Sequence, residues 1–558
     1  MHKKTYKRDE GVALVTAVIF VTLAVIVLMG LSVRVVQQSG QVTQFRIFND
    51  TFTGMESAVA RSWVELESGQ DGWIGIDGWT PPSGASQVVI PNFTDQGVSP
   101  VTSNGVPGVQ YIAYANNWAN NGMDDNGDGQ IDDSDEDFMV TIYGRARDRG
   151  VERTVEVIVQ GRDVNVWRNA IFAGAGQSGG LINGNVSIHG SVHLLGNNVT
   201  FGNTVMSAID LSGTSLIHNN YVGITADLEQ RVPPLPTRTL DGETVSTLDA
   251  KLRVKNGLVG MSGNSEIGEP NVLGNTLKET LDGTYVTDGW TGTSVDDDGG
   301  RGDPTHVWSD NGWDSKYDLG NKVSFPLLTE PYREVYTGNM YDNPATGTKY
   351  THFEYFEQVL AGTPYAGNMT IRANQNFYYN ATRPTEVNPA LRQATDDYIY
   401  FDAASNRMYI NGQIQVNGDL AIDRGGGNDK TISYSGRGAI LVKGNASLDT
   451  DLYSMNANGT TANSFPVNNF FGLMVGGNLT VGTNSQLKLM GGFYAQGRIT
   501  SAKQTIVMGT FVSTYFDMGT NVPEIYQVPE LANNLPLGMI GGYPILVYSQ
   551  VSWRELGV

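Results

Sequence analysis

The chain has 558 residues, with 57 acidic against 36 basic side chains, a formal net charge of −21, no cysteine and 68 glycines. That acidic balance excludes a nucleic-acid surface, which has to be basic to meet phosphates. The missing cysteine excludes disulfides, thiol catalysis and thiolate metal sites. Hydrophobic content of 40% argues against disorder over most of the length, and the length predicts two or three domains. Met1–Gly11 is a basic leader holding Lys3, Lys4, Lys7 and Arg8. Val12–Leu31 follows, uncharged and apolar apart from Thr16 and Thr22, long enough for a helix to cross a hydrocarbon core of ~30 Å. The basic residues precede the apolar run, so the N-terminus stays cytoplasmic and the remainder is exported. A cleaved secretory signal fits less well, since its apolar region is roughly 7–15 residues long and ends at a small-x-small site. Ser32–Glu67 continues the helical pattern with polar residues mixed in.

A basic leader, Gly11, and an apolar helix starting directly after the glycine resemble the class III leader of type IV pilins and pseudopilins. The resemblance implies cleavage after Gly11 by a prepilin peptidase and methylation of the new N-terminus at Val12. The family's usual glutamate falls on Thr16. Its role there is to neutralise a neighbour's terminal ammonium in an apolar filament core. The start GVALVTAVIF and the helix end Thr53–Gly69, which contains Glu56, resemble the subgroup that lacks this glutamate, the PilX-type minor pilins and the K-type tip pseudopilins. A helix over 12–68 behind a leader at 1–11 is then an assembly helix. It sits first in the inner membrane of a Gram-negative envelope and later among other subunits' helices.

Residues 69–165 read as a small pilin-like α+β module. Asp71–Gly108 is rich in Gly, Pro and Ser. FMVTIYGR and ERTVEVIVQ alternate at period two around ARDRGV, predicting a β-hairpin over Phe138–Gln160. Between them lies the sharpest local motif. Asp124, Asn126, Asp128, Gln130 and Asp132 occupy alternate positions about Gly129, and Asp135 and Glu136 follow. The spacing matches an EF-hand-like loop in which alternate carboxylates turn inward on calcium and Gln130 gives a backbone carbonyl. Asp135 stands where a bidentate Glu is usual, so the last ligand stays open between Asp135 and Glu136. A strand rather than a helix follows, which predicts a structural calcium site.

From Ile171 the pattern changes to short apolar pairs separated by Gly and Asn, and it returns at Met408–Asp423, Ala439–Leu448 and Gly472–Val512. Such units bury their apolar face only by stacking, so 166–222 and 395–558 are expected to be β-solenoid-like, in the manner of a right-handed β-helix, with a β-sandwich as the alternative. Residues 223–394 lack the pattern and read as an irregular insertion, dense in aromatics from Trp308 to Tyr379. The expected fold class is thus mainly β with a long N-terminal α-helix.

Gly174, Gly176 and Gly179 match G-x-G-x-x-G, but the sequence after them reads as strand, not the helix a dinucleotide site needs. His189 and His193, at i and i+4, are expected on one strand face. The functional expectation is a minor pilin or pseudopilin, not an enzyme, at the periplasmic or extracellular tip of a type IV pilus or type II secretion pseudopilus, priming assembly and displaying a calcium-stabilised β-rich domain for adhesion or partner binding. Its partners are other pilin subunits, the prepilin peptidase and a surface receptor or glycan. The alternative is a membrane-anchored surface β-helix protein or polysaccharide lyase, for which Asp419, Asp423 and Arg424 are the nearest approach to an acidic-plus-basic face.

Overall fold

One helix, α1 (Asp9–Glu67), accounts for 59 consecutive residues of the computed structural model. No proline interrupts it. The hydroxyls of Thr22, Ser32, Thr43, Thr51, Ser57 and Ser62 each donate to the carbonyl four residues back, so these polar side chains are satisfied inside the helix. The structure describes residues 9–67, 90–96, 98–103, 106–118, 138–177, 187–197, 200–201, 204–240, 242–292, 306–312, 315–425, 431–484, 486–518 and 523–556. The chain divides into two units, residues 1–163 together with 546–558, and residues 164–545.

The first unit sets the end of α1 against an antiparallel sheet. Its strands are β1 (Val101–Thr102), β2 (Gln110–Asn117), β3 (Met139–Asp148), β4 (Val151–Asp163) and the C-terminal strand Leu546–Leu556, in that spatial order. The alternation expected for Phe138–Gln160 is present. Val155, Val157 and Val159 of β4, with Ile142 and Ala146 of β3, point inward and are fully buried against Met55, Ala58 and Val59 of α1. Each such valine contributes about 1.5–3 kcal/mol. The turn is tighter than ARDRGV. Only Arg149 and Gly150 lie between the strands, at φ of +47° and +84°, the pair of positive angles that matches the twist of a two-residue hairpin.

The C-terminal strand corrects an expected boundary. Residues 546–556 do not close the C-terminal β region assigned to 395–558; they pair antiparallel with β4, from Leu546 opposite Asp163 to Leu556 opposite Thr154. The second unit is therefore inserted between two neighbouring strands of the first unit's sheet. Within it, Val164 N–H donates to the Ile545 carbonyl at 2.9 Å, so entry and exit lie side by side.

In the second unit, strands pair in parallel along three files. One file runs 413–416, 439–442, 472–475, 492–495, 510–513, 171–173, 192–194, 252–254 and 284–286. Ile414, Ile440, Leu473, Phe493, Phe511 and Ile171 stack along it, all buried. A second file runs from 369–372 through 420–423, 446–449 and 479–481 to 499–501. A third stacks Ile432, Leu452, Leu489, Val507, Ile525, Ile188, Ile217 and Ile267. Antiparallel pairing enters at one end, where 377–380, 398–402 and 407–411 form a three-strand turn-back.

Two further differences from the sequence expectation follow. Lys251–Val254 and Gly283–Val286 belong to the first parallel file, and Leu258–Met261 pairs in parallel with Ser207–Leu211 and Trp290–Thr291 in a separate three-stranded sheet, although 223–394 reads as an irregular insertion. Their strands are only four residues long, too short to show a period. And the files are not in chain order. Ile171–Ala173 pairs on one side with Phe511–Ser513 and on the other with Val192–Leu194, so the start of the unit is stitched beside its end in mid-stack.

Candidate functional site

Helix α1 has two halves with different surroundings. From Thr51 onward it packs on its own sheet. Gly54 lies so close that an added Cβ would stand 2.6 Å from Val109 and 2.8 Å from Ala146. Gly144, across from it on β3, would meet the Met55 carbonyl at 3.0 Å and the Ala58 methyl at 3.2 Å. Small residues on both sides bring the helix down to backbone distance. Before Thr51 the helix is uncovered. Leu14, Val18, Phe20, Ile26, Leu28 and Val36 are all more than half exposed, and none of the most apolar 18-residue window is buried. The exposed apolar residues lie all round the helix rather than on one stripe, a surface suited to a lipid or an assembly core and not to water.

A charged joint marks the change from one half to the other. The Arg153 guanidinium lies 3.6 Å over the Phe48 ring and pairs with the Glu555 carboxylate. Arg149 bridges the Asp148 carboxylate at 2.7 Å and Asp50 of the helix at 3.3 Å. Sequence reasoning missed these residues. Gly54 and Ala58, four apart on the helix, carried a local signal of close packing, whereas Glu555 carried none because its partner is remote in sequence.

The predicted site residues fall as follows. The helical backbone runs through Gly11 and Val12. Thr16 lies on the uncovered half, and Glu56 is exposed on the packed half, facing away from Met55, Ala58 and Val59. Asp124, Asn126, Asp128, Gln130, Asp132, Asp135 and Glu136 lie outside the described residues. The flanks of their loop are held together: Asn117 stands opposite Val140, and the Trp118 amide donates to the Met139 carbonyl at 3.0 Å. The Trp118 indole N–H, buried, donates to Thr141 Oγ1 at 2.7 Å. The loop thus starts and ends at one fixed point of the sheet.

His189 and His193 do not share a face. A turn at Gly190 and Ser191 separates their strands and sends them to different files. His189 is sandwiched between His218 at 4.5 Å and Tyr526 at 4.1 Å, and burial lowers its pKa to about 3. His193 is bonded through Nε2 to the Tyr317 hydroxyl at 2.9 Å, and burial holds its pKa well below the usual range. Asp419, Asp423 and Arg424 are engaged in the stack. Asp419 accepts the Asn445 amide, Asp423 accepts the Gly425 amide and lies 3.6 Å from Arg372, and Arg424 reaches Asp449 at 4.0 Å. Gly174 and Gly176 sit in the strand Ile171–Gln177.

No protein-family model matches the sequence, and no curated protein does. Among solved structures, the chain is similar to the competence-associated pilin ComZ from Thermus thermophilus, at 17% identity over 91% of this chain and 97% of that one, with a TM-score of 0.46. The functional reading therefore stands on the residues and geometry of this chain.

Proposed function

We propose that this chain is a minor pilin or pseudopilin of a type IV pilus or type II secretion filament. The observation that carries the reading is the division of α1. One half is locked on a small antiparallel sheet through Met55, Ala58 and Val59, and the other begins with an uncovered stretch, Leu14–Leu31, that is apolar all round and preceded by a basic leader ending at Gly11. Such a helix can sit in the inner membrane with its N-terminus cytoplasmic. It then exchanges lipid for neighbouring subunits' helices at little hydrophobic cost, because both surroundings are apolar. N-terminal mass spectrometry of the mature protein tests this: methylated Val12 is expected, and a start at Met1 would leave a simple anchor.

Thr16 in place of a carboxylate supports a subunit at the tip, of the PilX or K type, since a subunit with none above it has no terminal ammonium to neutralise. The bulk of residues 164–545 supports the same placement, because a load of that size on every subunit would crowd a thin shaft. We read the three parallel files as a solenoid-like winding; parallel pairing is foreign to the antiparallel sandwich. Displayed at a tip, that unit serves adhesion or partner binding, and no enzymatic role is proposed for it.

The acidic loop between β2 and β3 is proposed to hold a structural calcium through Asp124, Asn126, Asp128, Gln130, Asp132 and Asp135 or Glu136. Carboxylates crowded at this spacing repel one another and need a cation to hold one conformation. Adding a calcium chelator to the purified protein should lower the melting temperature of the first unit; an unchanged melt would refute the site.

A further inference from the structure

Residues 324–352 fold beside the loop 540–543 in the second unit and leave a cleft of about 280 Å³. Its depth is set by His352, which is 2% exposed and is held by the capping box of the turn His352–Tyr355, where Thr351 accepts the Glu354 amide and Glu354 accepts that of Thr351. The His352 Nε2 lies 2.8 Å from the Gly538 carbonyl and must therefore carry the proton. Burial lowers the pKa of the ring to about 4, so it is neutral and Nδ1 is a bare acceptor. No hydrogen-bond partner for Nδ1 stands among the described residues. At the rim, the Arg333 guanidinium lies 5.1 Å over the Tyr543 ring, with no carboxylate in ion-pair reach among the described residues. Among the described residues, the Glu330 carboxylate takes only the Leu327 amide, at 3.4 Å. Pro326, Pro331, Met340 and Ile540 supply apolar parts of a mainly polar lining.

We propose that this cleft binds one pyranose ring of a glycan. The inference rests on the reading that this unit is displayed outward for adhesion. At about 280 Å³ the cleft falls just below the range of drug-sized ligand clefts, about 300–1,000 Å³, which restricts it to a single ring. The apolar parts of the lining fit the C–H face of a sugar. Arg333 donors and Glu330 acceptors match neighbouring ring hydroxyls, and a deep hydroxyl donates to His352 Nδ1. An amino-acid zwitterion would satisfy Glu330 and Arg333 as counter-ions, but it carries no hydroxylated ring to lie against the apolar parts of the lining and reach the buried nitrogen.

The test is saturation-transfer NMR on the full mature chain in detergent, with glucose, galactose, N-acetylglucosamine and glucuronate as probes and glycine and alanine as zwitterion controls. Saturable binding of at least one sugar is expected. Glu330→Gln and Arg333→Ala, both at exposed positions, should weaken it at least tenfold, as should Ser324→Trp, which fills the cleft; an unchanged melt shows that each variant folds. The proposal is overturned by no saturable sugar binding, by binding of glycine or alanine alone, or by sugar binding indifferent to all three substitutions. Immunogold labelling of cells separates this from the display reading. Sugar binding by a chain that never reaches the cell surface would remove the display and leave the cleft standing.

Discussion

Gly444 and Asn445 show what the recurrent Gly–Asn pairs do. Asn368 Oδ1 accepts the Asp419 amide, Asp419 accepts that of Asn445, Asn445 that of Asn478, and Asn478 that of Arg498, at 2.7–2.9 Å. The preceding glycines form a second ladder, Gly418 to Gly367, Gly444 to Gly418, Gly477 to Gly444 and Gly497 to Gly477, amide to carbonyl. Each turn is thus bonded twice to the next, and a Cβ at Gly444 would strike Asp419 Oδ1 and stand 2.9 Å from the Gly418 carbonyl. Gly444→Ala should destabilise the second unit by about 1–3 kcal/mol, read by urea denaturation, because the neighbour that must yield includes backbone. Asn445→Ala should cost about 0.5–1.5 kcal/mol by exchanging the exposed Asn478 amide's acceptor for water. The glycine and asparagine richness was visible in the sequence; the ladder was not, since its partners lie on neighbouring strand turns at no fixed spacing. His352 adds a pH dependence. Its folded pKa is about 4 against an unfolded 6.5, so between those values the unfolded chain holds a proton that the folded chain does not. Stability contributed by the neutral ring is fully present above pH 6.5 and falls as the pH drops towards 4. The loss is on the order of 3 kcal/mol, measurable as a falling urea midpoint. A midpoint flat between pH 7 and 4 would contradict it.

At the scale of elements, α1 carries two incompatible demands on one continuous helix. Its first half needs an apolar environment supplied from outside, and its second half supplies the core of its own sheet. The close approach at Gly54 and Gly144 makes the second half a fixed lever. Gly54→Leu should force the helix off β3 and lower the stability of the first unit by about 1–3 kcal/mol or more, while the melt of the second unit stays in place. The apolar span, the helical continuation and the β3–β4 hairpin were legible because each is written in a local period. The charged joint of Arg153, Phe48 and Glu555 was not, because two of its members belong to elements at opposite ends of the chain.

Over the whole molecule, the second unit interrupts the chain of the first. The chain leaves the first unit at 163, builds the second, and returns at 546 to pair with β4. Removing residues 546–558 should therefore leave β4 with an open edge and Arg153 without Glu555. Calorimetry should then show a lower transition for the first unit and an unchanged one for the second; a loss confined to the second unit would contradict this insertion. The same insertion accords with the permuted order of the files, since a unit whose two ends emerge together can bring its first strand, Ile171–Ala173, beside the late strand segment Phe511–Ser513. By itself the sequence determined the features carried by short-range chemistry: a long apolar N-terminal helix, an acidic loop with alternate carboxylates, a period-two hairpin and a Gly–Asn repeat. Tertiary structure alone decided where the final strand goes, which strands are neighbours, and that Lys251–Val254 and Gly283–Val286 join a parallel file. Those outcomes depend on burying four-residue apolar strands against partners far away in the chain, and a burial shared between distant segments leaves no period in either.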